Sequence, residues 1–265
     1  MSGGRPSGDP FPRPVLVVSR CLGFEPVRYN GQVIEDDFVQ RLARFCEPIV
    51  VCPEVEIGLG VPRPPIRLVH AGEEGTRVQQ PGTGRDLTAE MHAFGDRFLE
   101  GLDVADGFVL KSRSPSCGLR DVKLFDSAEA TTPLSAREAG AFGSAVLARF
   151  PWAAIEDEAR LGDPALRDRF LTLLFALATL RAVDASGEWS ALKAFHAGHR
   201  ELLLGSGNDA SDELDRWVAR SQGRPWVQAL AGYRERLARS LARPAREPAG
   251  AATAPTPPYP PELAR

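Results

Sequence analysis

Three short runs of aliphatic and β-branched residues, each followed within a few positions by a cysteine, predict an α/β protein. Stretches of helical periodicity separate the runs, so the expected core is an open, mainly parallel sheet with helices on both faces. Beyond residue 160 strand-like alternation gives way to helical periodicity alone, which predicts a smaller all-α domain after the sheet. The 265 residues, 43% of them hydrophobic, are enough for two such cores.

The elements follow in order. Residues 1–13 are rich in glycine, proline and arginine and read as a disordered tail. Val15-Leu16-Val17-Val18-Ser19 has the composition of a buried parallel strand and ends at Cys21-Leu22-Gly23. A helix over 35–45 follows, with Phe38, Val39, Leu42, Ala43 and Phe45 on its apolar side. Ile49-Val50-Val51 is the second strand and runs directly into Cys52-Pro53-Glu54. A Gly/Pro-rich loop from Gly58 to Pro65 leads into a polar stretch with glycines at 72, 75, 82 and 84. Thr88 is placed to cap a helix reaching Leu99, which Gly101 would end.

Gly107-Phe108-Val109-Leu110 is the third strand, leading into Lys111-Ser112-Arg113-Ser114-Pro115-Ser116-Cys117-Gly118. Ser135-Ala136-Arg137-Glu138 has the spacing of a capping box and predicts a helix over 135–149. A last short strand falls at 153–156. Asp163-Pro164, a cap followed by proline at the first helical position, opens helices over about 164–183, 188–204, 211–221 and 225–242. The Ala, Thr and Pro repeated after Pro244 predict a disordered end. The expected domains are therefore 14–160 and 164–243, with tails at 1–13 and 244–265.

A net charge of −3 supplies no general drive towards nucleic acid or a membrane surface. The N-terminal stretch lacks the apolar core of a signal peptide, and no run reaches the roughly 18 apolar residues of a spanning helix. Four cysteines are too few for a disulfide scaffold in a chain this long, so reduced thiols in a cytoplasm are expected.

In an open α/β sheet, ligands bind in the crevice beyond the carboxyl ends of the strands. Cys21, Cys52 and Cys117 each follow a strand and should converge there, whereas Cys46 precedes its strand and belongs at the opposite edge. Three converging thiolates suit zinc, copper(I) or an iron–sulfur cluster. A structural zinc would need a fourth protein ligand, and the close C-x-x-C pairs of zinc ribbons are absent. A cluster on three cysteines instead leaves one iron open as a Lewis acid. The plain alternative is three ordinary buried cysteines. Glu54 places a carboxylate beside this point, Ser114 and Ser116 offer hydroxyls, and Lys111 and Arg113 offer positive charge; capping and solvated surface are the structural readings of the same residues.

These residues carry a resemblance. Ser19-Arg20-Cys21-Leu22-Gly23 with Arg28-Tyr29-Asn30-Gly31 looks like the opening of the thiouracil desulfidase family. Cys52-Pro53-Glu54, Gly58-Leu59 and Pro62-Arg63 resemble its second motif. Gly84-Arg85-Asp86-Leu87-Thr88 resembles its G-x-D-[VL]-T segment, and Lys111 to Gly118 its third cysteine motif. The resemblance implies a [4Fe-4S] cluster on Cys21, Cys52 and Cys117, and non-redox removal of sulfur from a thiolated pyrimidine of the 4-thiouracil or thiouridine type. It implies proton transfer by Glu54 and substrate orientation by Ser114, with Lys111 and Ser116 beside the substrate. Arg20, where the family usually has a small residue, and Leu119-Arg120-Asp121-Val122-Lys123, which lacks the expected tyrosine and glycine, are departures that bear on substrate choice.

The helical segment resembles a YbgA-like domain through Phe195-His196-Ala197-Gly198-His199-Arg200, with Arg200 where that domain carries lysine. His196 and His199 share a helix face, a spacing that suits metal or phosphate as well as packing. Counting Lys and Arg against Asp and Glu leaves about +3 over 160–243, so RNA docking is the alternative to a solvated helix surface. The expected partner of the α/β domain is a small thiolated base or nucleoside, with no membrane. The rival function is a binding module in which the cysteines hold structural zinc and the helices recruit RNA or a protein. A radical enzyme is disfavoured, because no C-x3-C-x2-C run is present.

Overall fold

A computed structural model describes residues 11–205, 208–241 and 256–264. The chain forms two compact units: Val15–Pro151 with Ile155–Leu166, and Trp152–Ala154 with the described residues of Met1–Pro14 and Arg167–Arg265. The α/β part runs β1 (Val15–Ser19), α1 (Asp37–Arg44), β2 (Glu47–Val51), α2 (Pro53–Glu56), β3 (Arg67–His70), β4 (Thr76–Gln80), β5 (Arg85–Asp86), α3 (Thr88–Glu100), β6 (Gly107–Leu110), β7 (Val122–Phe125), β8 (Pro133–Glu138), α4 (Ala141–Arg149) and β9 (Ala154–Asp157).

Among the described residues the strands make a four-stranded sheet in the order β2-β1-β6-β9 and a five-stranded sheet in the order β5-β4-β3-β7-β8. β1 is parallel to both β2 and β6, as the alternation with helices requires. Its register pairs Ser19 with Val51, so the chain leaves two neighbouring strands side by side, just ahead of Cys21 and Cys52. Leu16, Val17 and Val18 are wholly buried, the expected state of a central strand covered on both faces.

The second sheet was not legible in the sequence, where 66–86 reads as polar loop. β3 and β4 form an antiparallel hairpin with Leu68 opposite Val78, and β7 lies parallel to β3. Leu68, Val78, Val122 and Leu124 on its inner face pack with Leu87 and Met91 of the α3 segment. With two to six residues per strand, each apolar face is short and leaves little local signal.

The capping box expected at 135–138 is instead β8: Glu138 pairs with Val122, and Ser135 accepts from the backbone of Arg137. The helix starts six residues later, after Gly140, because its free N–H groups are satisfied by another loop. Gly140 N donates to Gly118 O, Ala141 N to Pro115 O, and Phe142 and Gly143 N to Ser116 O, at 2.8–3.0 Å. A Cβ on Gly143 would lie 2.3 Å from Gly118 O, so this approach depends on glycine. The start of α3 also differs. Asp86 Oδ1 accepts from Thr88 N and Oγ1, and Thr88 is already helical, its hydroxyl accepting from Val78 N.

The helical unit contains α5 (Pro164–Ser186), α6 (Trp189–Gly198), α7 (Arg200–Gly205), α8 (Asn208–Ser221) and α9 (Trp226–Leu241). The helix expected over 188–204 is broken at His199. Phe170 to Ala178 of α5 are buried. His196 lies between Tyr233 Oη (3.1 Å) and Asp215 Oδ1 (2.7 Å), and His199 Nδ1 meets the Phe195 carbonyl at 2.9 Å, so both rings bond within the helices. Parts of the expected tails are described, and they pack. Tyr259 bonds Asp168 and is 3% exposed, Leu263 is fully buried, and Phe11 packs edge-on to Phe175. Residues 1–10, 242–255 and 265 lie outside the described residues. No described helix is long and apolar enough to cross a membrane.

Candidate active site

The carboxyl ends of β1, β2 and β6 open into a cavity of about 800 Å³ whose wall includes Cys21, Cys52 and Cys117. Cys21 follows β1 by two residues, and Cys52 leaves β2 directly into the single turn of α2. Cys117 comes from the loop after β6. The Gly118 N–H···O bond to Ser114, the Cys117 N–H bond to Ser114 Oγ (3.1 Å) and the first turn of α4 hold that loop in shape. Cys46 is fully buried at the amino end of β2 and is not part of the wall. None of the four forms a disulfide.

Burial pushes the Cys21 thiol up to about 12, with the charge of Cys52 adding to the rise and Lys111 and Arg28 opposing it. Cys52 and Cys117 are raised as well, burial again being the largest cause; Cys117 feels both other cysteines, while hydrogen bonds from Ser19 and Ser116 partly offset this. The charge of Cys52 thus acts on both other sulfurs, and burial favours the protonated form of all three. Such a donor set waits for a cationic partner, because bound metal replaces the protons and removes the repulsion. Among the described residues no three His, Cys, Asp or Glu side chains are gathered tightly enough to hold a single metal ion.

Glu54, in the first turn of α2, is the one carboxylate on the cavity wall among the described residues. Its Oε1 accepts from Ser116 Oγ at 2.9 Å, and its Oε2 accepts from Arg63 Nε at 2.8 Å. Ser116 Oγ is 3.0 Å from Ser114 Oγ and 3.7 Å from Cys117 Sγ, so hydroxyls link carboxylate and thiol. Since Ser116 donates to Glu54, Ser114 donates to Ser116. Lys111 lines the cavity too, but its ammonium bonds Glu158 and the carbonyl and hydroxyl of Ser112. Glu158 also takes the N–H and hydroxyl of Ser112, which makes Lys111 one half of a partly buried pair rather than an isolated cation. Arg113 sits at φ 57 with its N–H on Asp121.

Cys21, Cys52, Cys117, Glu54, Ser114, Ser116 and Lys111 therefore share one cavity. Arg63 and Glu158 carry functional contacts that the sequence reading did not assign. Arg63 stood only inside a motif, and Glu158 sits past the last strand, 47 residues from Lys111. No periodicity marks either residue. Arg20, the departure from the family pattern, lines the cavity with its guanidinium 2.6 Å from Glu56.

A parallel sheet thus brings thiols from three strand ends and a carboxylate onto one cavity, a donor set of the kind that soft metals prefer. The family model for 2-thiouracil desulfurase matches residues 16–158, more than half of the chain, and the chain belongs to that family. Over 113 residues it is 30% identical to the uncharacterized protein YbbK of Bacillus subtilis (strain 168), covering 39% of this chain and 73% of that one. A solved structure described as the [4Fe-4S]-dependent thiouracil desulfidase TudS is 29% identical with a TM-score of 0.44, covering 57% of this chain and 94% of its own. The family match ends before the helical unit.

Proposed function

We propose that this protein is an iron–sulfur-dependent desulfidase that hydrolyses the carbon–sulfur bond of a thiolated pyrimidine of the 4-thiouracil or thiouridine type and releases sulfide. The observation that carries the reading is the convergence of three cysteine thiols and a carboxylate on one cavity, in a chain of the 2-thiouracil desulfurase family.

The fit to the cofactor is chemical. Three soft sulfurs on one cavity suit an iron–sulfur cluster, whereas a structural zinc would normally be closed by a fourth protein ligand. Cys21, Cys52 and Cys117 would hold a [4Fe-4S] cluster, which supplies an open iron as a Lewis acid for the substrate's sulfur. Glu54 would take a proton from a water attacking the ring carbon and return it to the departing sulfur. The net change is water in and sulfide out, with no electrons gained or lost. Ser114, hydrogen-bonded through Ser116 to that carboxylate, would orient the substrate. We assign this chemistry to residues 14–160, with 164–243 as a separate YbgA-like domain.

The test is anaerobic purification followed by turnover of 4-thiouracil, thiouridine and thiolated tRNA. About four irons per chain with stoichiometric sulfide and uracil or uridine support the reading. A colourless protein holding one tight zinc and releasing no sulfide would sink it.

A further inference from the structure

We infer that Arg63 is the positioning residue for Glu54, an inference that rests on the desulfidase reading above. Arg63 is 7% exposed, and its side chain has three separate partners. Nε donates to Glu54 Oε2 at 2.8 Å, Nη1 to the Gly60 carbonyl at 2.8 Å, and Nη2 faces Cys52 Sγ at 4.0 Å. A buried guanidinium committed in three directions is poorly placed to grip a substrate; it acts through what it holds.

What it holds needs holding. Glu54 sits on α2, a helix of four residues that cannot keep an orientation by its own hydrogen bonds. The Arg63 contact closes the nine-residue excursion from Glu54 back onto itself, and the Gly60 bond fastens the guanidinium to that same loop. On the other side, Ser116, 1% exposed, binds the remaining carboxylate oxygen. The carboxylate is thereby fixed from two directions beside Cys52 and Cys117. Lysine could not reproduce this, because a single ammonium lacks the planar fork that reaches a carboxylate, a carbonyl and a sulfur at once.

The experiment compares Arg63→Met, Arg63→Lys, Glu54→Gln and the double variant Glu54→Gln/Arg63→Met. Arg63→Met is expected to keep its iron and a near-normal KM for 4-thiouracil while kcat falls about 100-fold, the usual cost of misplacing a reacting group by an ångström. Arg63→Lys should recover only part of that loss. Once Glu54 is glutamine, removing Arg63 should cost nothing further. Losses that multiply, or a KM that rises with kcat intact, would overturn the inference.

A second readout needs neither cluster nor turnover. In thermal unfolding of the cluster-free protein, the double variant should melt no lower than Arg63→Met alone, since removing both partners leaves no uncompensated buried charge. Strictly additive melting shifts would overturn the clamp. If Arg63→Met does not fold, the equally neutral Arg63→Gln carries the same cycle. If the iron-loaded wild type releases no sulfide, the desulfidase reading falls, while the melting cycle still decides whether Arg63 holds Glu54.

Discussion

Replacing Gly143 by alanine would put a Cβ 2.3 Å from Gly118 O and 2.8 Å from Cys117 O. Both are backbone atoms and cannot swing aside as a flexible side chain would. The first turn of α4 must then retreat from the loop that carries Cys117. The retreat stretches the bonds from Phe142 and Gly143 N to Ser116 O, now 2.9 and 3.0 Å. Two weakened hydrogen bonds at about 1 kcal/mol each and an overpacking strain of about 1–3 kcal/mol give a destabilisation of about 3–5 kcal/mol. For a unit of this size that lowers Tm by about 5–20 °C. Circular-dichroism melting and anaerobic iron assay read the two consequences: a lower Tm, and less iron at Cys117 than in wild type. A Gly143→Ala protein with unchanged Tm and full iron would refute the reasoning, because the cysteine loop would then owe its shape to something other than α4.

Cys117→Ser is expected to abolish cluster loading while Cys46→Ser retains it, by iron content and visible absorbance; equal losses would remove the distinction between the two ends of β2. Glu54→Ala should keep its iron and lose turnover by at least about 100-fold, as removal of a proton-transferring group does; normal sulfide release from that variant would take Glu54 out of the mechanism. The Cys21 thiol, raised from 9.0 to about 12 in the folded protein, holds its proton more tightly there than in the unfolded chain. Its contribution to stability is therefore complete below about pH 9 and lost as pH climbs towards 12, so the cluster-free protein should melt lower across that window. Cys21→Ala should flatten that slope, and a slope unchanged in the variant would contradict the assignment.

The parallel sheet and its cysteines could be read from the chain because the signal is local. Val15–Ser19 and Gly107–Leu110 are continuous apolar runs, and the rule that ligands gather at carboxyl ends separates Cys21, Cys52 and Cys117 from Cys46 without coordinates. The second sheet escaped notice because Leu68 and Val78 mean little until β3 and β4 are laid against each other. Ser135 to Glu138 matched a capping box in spacing alone, and pairing with β7 overrode that local preference.

By itself, then, the sequence determined which thiols share an edge, along with the carboxylate two residues after one of them, since both are consequences of where strands end. Only the tertiary structure decided what those groups do to one another. It placed the thiols where desolvation raises them, paired Lys111 with Glu158, and set Arg63 behind Glu54. Such couplings depend on desolvation and on distances between segments far apart in the chain, and no local pattern encodes either.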